Sequence, residues 1–338
     1  MRAFRDAYPQ WIIPVLLTIF LAILPQTLHP YYLTFASYIL IYSIVGLSVN
    51  LLLRNAGLVT IGHAAFFTIG AYTVAVLNIY ANVYSIDLLI LAGLITSAAA
   101  SLLIGLVTCR HTRLYFAILT VSLAEVVHVI LHWVYGASGL AIPLVVSNEK
   151  TTLLWMSFSK MSRIDFLRNI YYYYILGWFI VSAVFLYFVK RSPLCIALNA
   201  SRQNEDRLVY MGVSIYKTRI IGFTISGGLT GLAGALWTPL SGLVDPHMIH
   251  WDISIQYLAY AVVGGSVFVG PILGALIVNT VVEIFTIYTL HWRFLLGLFL
   301  ICVVLLLKGG VSDILLKLLP LTASQAQKIS KQLGATVD

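Results

Sequence analysis

The sequence predicts an all-α fold: a polytopic integral membrane protein with about ten membrane-embedded helices, some of them broken or re-entrant. Three observations carry that expectation. The 338 residues are 60% hydrophobic and only 9% charged, whereas soluble domains are about a quarter charged. Apolar runs of about 20 residues, each long enough to cross a hydrocarbon core of roughly 30 Å, recur along the whole length. None of them alternates with the period of two that a membrane barrel requires.

The candidate spans, in order, are 9–25, 31–53, 57–79, 86–108, 114–135, 170–189, 220–243, 253–268, 271–289 and 294–308. The first lacks a small-residue cleavage site and is followed by a second span, so it reads as a span and not as a cleaved signal. The eighth and ninth are punctuated by Gly264-Gly265 and Gly270-Pro271 and are expected to be broken or partly re-entrant. Lys and Arg in short loops set the orientation. With the N-terminus inside, fifteen basic residues are cytoplasmic and five are external, namely Lys150, Lys160, Arg163, Arg168 and Arg293. Both termini then face the cytoplasm, about 136–169 is an external loop, and about 190–219 is an internal one. Residues 1–320 form one transmembrane domain and 321–338 a cytoplasmic tail. The net charge of +8 is scattered through short loops, which argues against a nucleic-acid partner, and Cys109, Cys195 and Cys302 lack metal or redox spacing.

The internal loop is unusual. Eight of the 32 charges fall between Lys190 and Arg219. Asn199 or Ser201 is expected to cap a short helix there. Glu205 and Asp206 would lie in its first turns, where the helix dipole favours negative charge. Leu208, Val209 and Met211 would follow, and Gly212 is suited to the C-terminal end. Topology needs only Lys and Arg, so the mixture of Arg202, Glu205, Asp206, Arg207 and apolar residues reads as a docking helix for a cytoplasmic partner, against the plainer reading of a solvated loop.

This stretch resembles the coupling loop of ABC importer permeases, and the chain is similar to the LivM-type permeases of branched-chain amino acid importers. The resemblance rests on "NAGLVTIGHAAFFTIGAYTVAVL" (55–77), "LYFAILTVSLAEVVHVI" (114–130), "ALNASRQNEDRLVYMGVSIYKTRIIGFTISGGLTGLAGAL" (197–236) and "VVGGSVFVGPILGALIV" (262–278). The chain departs from the family's pattern at Leu58, at His128 and in the turn "GASGLAIP" (136–143). The resemblance implies residence in the bacterial inner membrane. It also implies a second, related permease subunit, two ATPase subunits that bind ATP and Mg, and a periplasmic binding protein. The docking residues carried over are Arg202, Glu205, Asp206, Arg207, Leu208, Met211 and Gly212. No cofactor is expected in this chain itself: "GVSIYKT" (212–218) has Tyr216 where a phosphate loop needs Gly.

Ionisable residues at membrane depth are costly and mark candidate sites. Ser122, Glu125, His128 and His132 share one helical face, as a polar seam along a pathway or as a pair tying helices together. Glu283, near the end of span nine, reads as an interfacial or packing residue. Gly57, Gly62, Ala64, Ala65, Gly70 and Ala71 give span three a small-residue surface for close packing. Thr60 and His63 sit on it, where an interrupted helix would offer N–H groups to a carboxylate; the alternative is a His63 bonded to a nearby carbonyl. Thr60, Gly62, His63, Phe66, Phe67, Glu125 and His128 are therefore the pathway candidates. The expected function is transport of branched-chain or other apolar amino acids. The alternatives are an importer of the same family for urea, short amides or aromatic acids, and an ion-coupled secondary transporter. No catalytic cluster is apparent, so an enzyme is not expected.

Overall fold

The computed structural model describes residues 25, 30–142, 152–153, 156–157, 166, 170–265, 267–306 and 309–312. The first candidate span, most of the 136–169 loop and the C-terminal tail lie outside the described residues. Within them, each of the other nine candidate spans coincides with a helix. These are α1 (Pro30–Asn50, extended by a π-turn, Leu51–Ala56), α2 (His63–Ile79), α3 (Ile86–Thr108), α4 (Arg113–Tyr135), α5 (Tyr172–Arg191), α8 (Ile215–Ser241), α9 (Trp251–Gly264), α10 (Gly270–Tyr288) and α11 (Trp292–Leu306). Two short helices, α6 (Pro193–Gln203) and α7 (Glu205–Tyr210), occupy the charged loop. Six of the described helices are long and apolar enough to cross a membrane: α1 with its π-turn, α3, α4, α5, α8 and α10.

The hydroxyls inside these helices satisfy themselves locally. Ser37, Ser43, Thr68, Thr73, Thr108, Thr230 and Thr238 each donate to the carbonyl four residues earlier, which lets a polar residue sit in an apolar helix without an orphaned donor. Helix ends follow the glycines. The π-turn closes at Gly57, which adopts a left-handed φ of 68° and donates its N–H to Leu52. α8 closes at Gly242, φ 76°.

Of the six spanning-length helices, α1 and α8 are the most enclosed and α4 is the least. α8 packs directly on α2 and α3 because its glycines remove every obstacle between backbones. A Cβ on Gly234 would strike the Phe67 carbonyl, one on Gly231 the Ser97 side chain, and one on Gly70 the Gly231 carbonyl. Ser97 and Ser101 complete the contact by donating to the carbonyls of Phe66 and Thr224. The small-residue surfaces of spans three and seven therefore face each other. α9 and α10 form a tight hairpin through the Gly264–Pro271 turn, where a Cβ on Gly274 would meet the Tyr260 carbonyl. Neither helix is itself broken, contrary to the sequence expectation: Gly264-Gly265 ends α9 and Gly270-Pro271 starts α10, so the glycine pairs punctuate the connection between two continuous helices. A two-residue antiparallel pairing, β1 (Leu140–Ala141) with β2 (Leu243–Val244), ties the end of α4 to the end of α8.

Candidate functional site

Three features stand out: a buried polar hub, a belt of histidines and a charged two-helix segment. The hub lies where α2 begins. Residues 57–62 are not helical, so the interruption expected near Gly62 is present. His63 is fully buried. Its Nδ1 lies 2.8 Å from Thr60 Oγ1 and its Nε2 lies 2.8 Å from Ser226 Oγ. Ser226 Oγ donates its own proton to the Ser48 carbonyl. The proton between Ser226 and His63 must then belong to Nε2, and Thr60 donates to Nδ1. His63 is thus a neutral imidazole in a fixed tautomer, joining α1, α2 and α8. The partners are hydroxyls, not the carbonyl that sequence reasoning offered as the alternative.

The N–H groups at this helix start are already engaged. Ala64 donates to Ser254 on α9, Ile61 to Thr120 on α4, and Gly62 to Thr60. Gly62 is pressed against the Thr120 carbonyl, which a Cβ would strike. Thr60, Gly62, His63, Phe66 and Phe67 are all buried. The Phe66 and Phe223 rings stand edge-on to His63 at 5.5 and 5.9 Å. In this conformation the span-three candidates form a closed seam between helices.

Beside Phe67 lies an aromatic wall that sequence reasoning missed. Tyr38 and Tyr42 on α1, Phe67 on α2, Trp237 on α8, and Tyr257 and Tyr260 on α9 have neighbouring ring centroids 5.6–6.4 Å apart. A signal existed: Tyr38 and Tyr42 are four apart and Tyr257 and Tyr260 three apart, so each pair shares a helical face.

The belt lies towards the β1–β2 end. Glu125 Oε2 is 3.2 Å from His128 Nδ1, one turn along the same helix. His128 also faces His132 at 6.2 Å and His250 at 5.6 Å, and His250 stacks on His247 at 4.6 Å. Asp252 lies 4.0 Å from His250 and holds Arg293 at 3.0 Å. Glu125 and His128 thus belong to a larger ionisable cluster that brings α4 against the start of α9 and α11. His247, His250, Asp252 and Arg293 were not anticipated because they come from segments more than 100 residues away. Glu283 accepts from Tyr31 and links the end of α10 to the start of α1.

The charged segment corrects one sequence expectation. Asn199 and Ser201 do not cap its short helix; both lie inside α6, and Ser201 turns its hydroxyl to the Leu198 carbonyl. The cap is Asn204, whose Oδ1 accepts from Arg207 N at 3.1 Å. Glu205 and Asp206 do occupy the first turn of α7. The helix closes in a Schellman arrangement: Gly212, φ 76°, donates to Val209, and Val213 donates to Leu208. Leu208 is buried. Arg202 reaches back to the Arg54 carbonyl, and Glu205 pairs with the buried Arg219 at 2.6 Å. Breaking such a pair leaves an uncompensated buried charge. Arg202, Glu205 and Leu208 therefore fasten the segment to the bundle. Asp206, Arg207 and Gly212 are exposed. Val209, Tyr210 and Met211 form an outward apolar tip, with Tyr210 90% exposed.

Spanning-length helices interlocked through glycine define an integral membrane protein. Residues 31–304 match the family described as branched-chain amino acid transport system, permease component, and the chain belongs to that family. It is 32% identical over 250 residues to the high-affinity branched-chain amino acid transport system permease protein LivM of Salmonella typhimurium strain LT2. It is 31% identical over 250 residues to the protein of the same description from Escherichia coli strain K12. Each alignment covers 68% of this chain and 57% of the relative. No solved structure matches.

Proposed function

We propose that this chain is the membrane permease subunit of an ATP-driven ABC importer, forming the pathway for branched-chain or other apolar amino acids. The observation that carries the reading is the charged segment. It is clamped to the bundle from within by Arg219–Glu205 and Arg202–Arg54, and it presents an apolar tip outward. A rigidly held lever with an exposed apolar end is what an ATPase subunit needs in order to push on the spans. ATP and Mg belong to two such subunits, and a second, related permease and a periplasmic binding protein complete the assembly. The membrane is the bacterial inner membrane. Six spanning-length helices, the shorter α2, α9 and α11, and an N-terminal span give about ten embedded segments in one domain covering 1–320, followed by a cytoplasmic tail.

The aromatic wall gives an aliphatic side chain a continuous apolar surface, and the closed seam at Thr60, Gly62, His63, Phe66 and Phe67 parts when the spans tilt. Glu125 and His128 mark the external approach. An ion-coupled transporter has no use for the outward tip of α7. Cargo is tested by competition in cells expressing the whole system. Unlabelled leucine, isoleucine and valine should suppress uptake of labelled leucine, and urea, acetamide and benzoate should not. Suppression by urea or benzoate in place of the aliphatic amino acids would move the assignment to the alternative cargo.

Orientation is tested by labelling. The probes are the exposed Gln203, in the charged loop, and the exposed Ser138, beyond the end of α4. Cys109 and Cys195 are buried, and burial pushes the Cys109 thiol up to about 11 and raises that of Cys195. With the exposed Cys302 changed to Ser, Ser138→Cys should react with an impermeant maleimide in intact cells and Gln203→Cys should not. Labelling of Gln203→Cys from outside would invert the topology.

A further inference from the structure

The outward face of α4 carries a regular stripe. Tyr115, Ile118, Ser122, Glu125, Val129 and His132 follow one another at alternating steps of three and four residues, which aligns them along one side of a helix. Each is exposed or, for Glu125, partly so. At 1.5 Å per residue the stripe is about 25 Å long, most of the depth of a hydrocarbon core. The opposite side, with Phe116, Ala117, Thr120 and Ala124, is buried against the bundle. Other outward faces differ in chemistry. α3 exposes Ile95, Leu102 and Leu103, and α5 exposes Val181, Val184 and Phe185. Neither helix has a charged residue between its first and last turns, so both suit acyl chains. α4 instead leaves 39% of the Glu125 side chain exposed near its middle. One carboxylate oxygen meets His128, and Oε1 has no partner among the described residues. Ser122, a turn earlier, returns its hydroxyl to the Ile118 carbonyl and is small enough for a neighbouring helix to come close.

We infer that this stripe is where a second, non-identical permease subunit packs one of its spanning helices, with a hydroxyl, amide or basic side chain set opposite Glu125. Lipid is a poor occupant, because a carboxylate at the centre of a span is among the costliest groups to leave against hydrocarbon. Steps of three and four are also the spacing by which two helices cross at a shallow angle, the side chains of one entering the gaps of the other. A second copy of this chain fits less well. A twofold axis along the membrane normal would bring both Glu125 side chains to one depth, acceptor against acceptor, where a donor is needed. The inference rests on the two-permease reading and adds where the two subunits meet. His128, on the flank of the stripe, then borders the junction.

Photocrosslinking in cells expressing the whole system, with the second permease tagged, tests it. Val129→p-benzoylphenylalanine should join this chain to the second permease on irradiation. The same group at Val184, exposed on α5, should not. Ser122→Trp points away from the bundle, so the chain should keep its own size-exclusion peak. Co-purification of the second permease should nevertheless fall about tenfold, the loss one overpacked contact brings, and Val184→Trp should leave it unchanged. If the second permease co-purifies with the wild-type chain but Val129 gives no crosslink to it, or Ser122→Trp retains it fully, the junction is not on α4 and the transport reading stands. A Val129 crosslink to another copy of this chain would overturn the non-identical partner. Failure of any second permease to co-purify with the wild-type chain would overturn the two-permease reading and the junction with it.

Discussion

Gly231→Val should abolish the folded protein. Detergent extracts should show its monodisperse peak on size-exclusion chromatography lost, while Gly177→Val keeps its peak. Both glycines are in spanning helices, so propensity does not separate them. Surroundings do. A Cβ at Gly231 falls inside the Ser97 side chain and against the Phe66 carbonyl, whereas one at Gly177 meets nothing within 4 Å. Ser97 cannot yield without losing its bond to the Phe66 carbonyl, and the same strip of α8 is locked against α2 at Gly234 and against α3 at Gly227. Overpacking a tight contact costs about 3 kcal/mol. In a membrane, where close van der Waals approach drives helix association, that cost falls on the junction of three helices. A normal peak for Gly231→Val would mean that α8 does not sit against α3 as described.

Tyr210→Asp combined with Met211→Asp should release the ATPase subunit while leaving this chain inserted and folded. Neither side chain supports the bundle; Tyr210 is 90% and Met211 67% exposed. Burying such a side chain in a partner's cleft contributes about 1.5–3 kcal/mol, and aromatic residues and Met are enriched at interface cores. Losing both should weaken docking by on the order of a hundredfold or more. Co-purification from mild detergent checks this. Glu205→Lys would be a poor test, because it strips the buried Arg219 of its partner and disorders the segment from inside. Retention of the ATPase by the double variant would place docking elsewhere on the chain.

The sequence is most informative where one helix speaks for itself. The span 86–108 coincides with α3, and the glycine pairs at 264–265 and 270–271 mark the turn between α9 and α10, because length, hydropathy and backbone freedom are local properties. The short helix α6 was hidden: its apolar residues, Leu194, Cys195, Ile196 and Leu198, are too few to stand out beside the charges that follow. The roles of Glu205 and His63 were hidden more deeply. Both are polar residues whose partners are set by the fold, Arg219 across a turn and Ser226 from another helix 163 residues on. A carboxylate that docks a partner and one that clamps its own chain look alike until that turn is built. The histidine belt likewise required α4 and the start of α9 to meet before four imidazoles became one cluster.

The central claim is that ATP hydrolysis in a partner, delivered through α7, drives cargo through this chain. Uptake of radiolabelled leucine into proteoliposomes containing the assembled system, with ATP enclosed on the side facing α7 and the binding protein on the other, tests it most directly. Uptake should require ATP and should fall to background in Tyr210→Asp/Met211→Asp at equal levels of inserted chain. Leucine entry without ATP, driven by a proton or sodium gradient and undiminished in that variant, would contradict it.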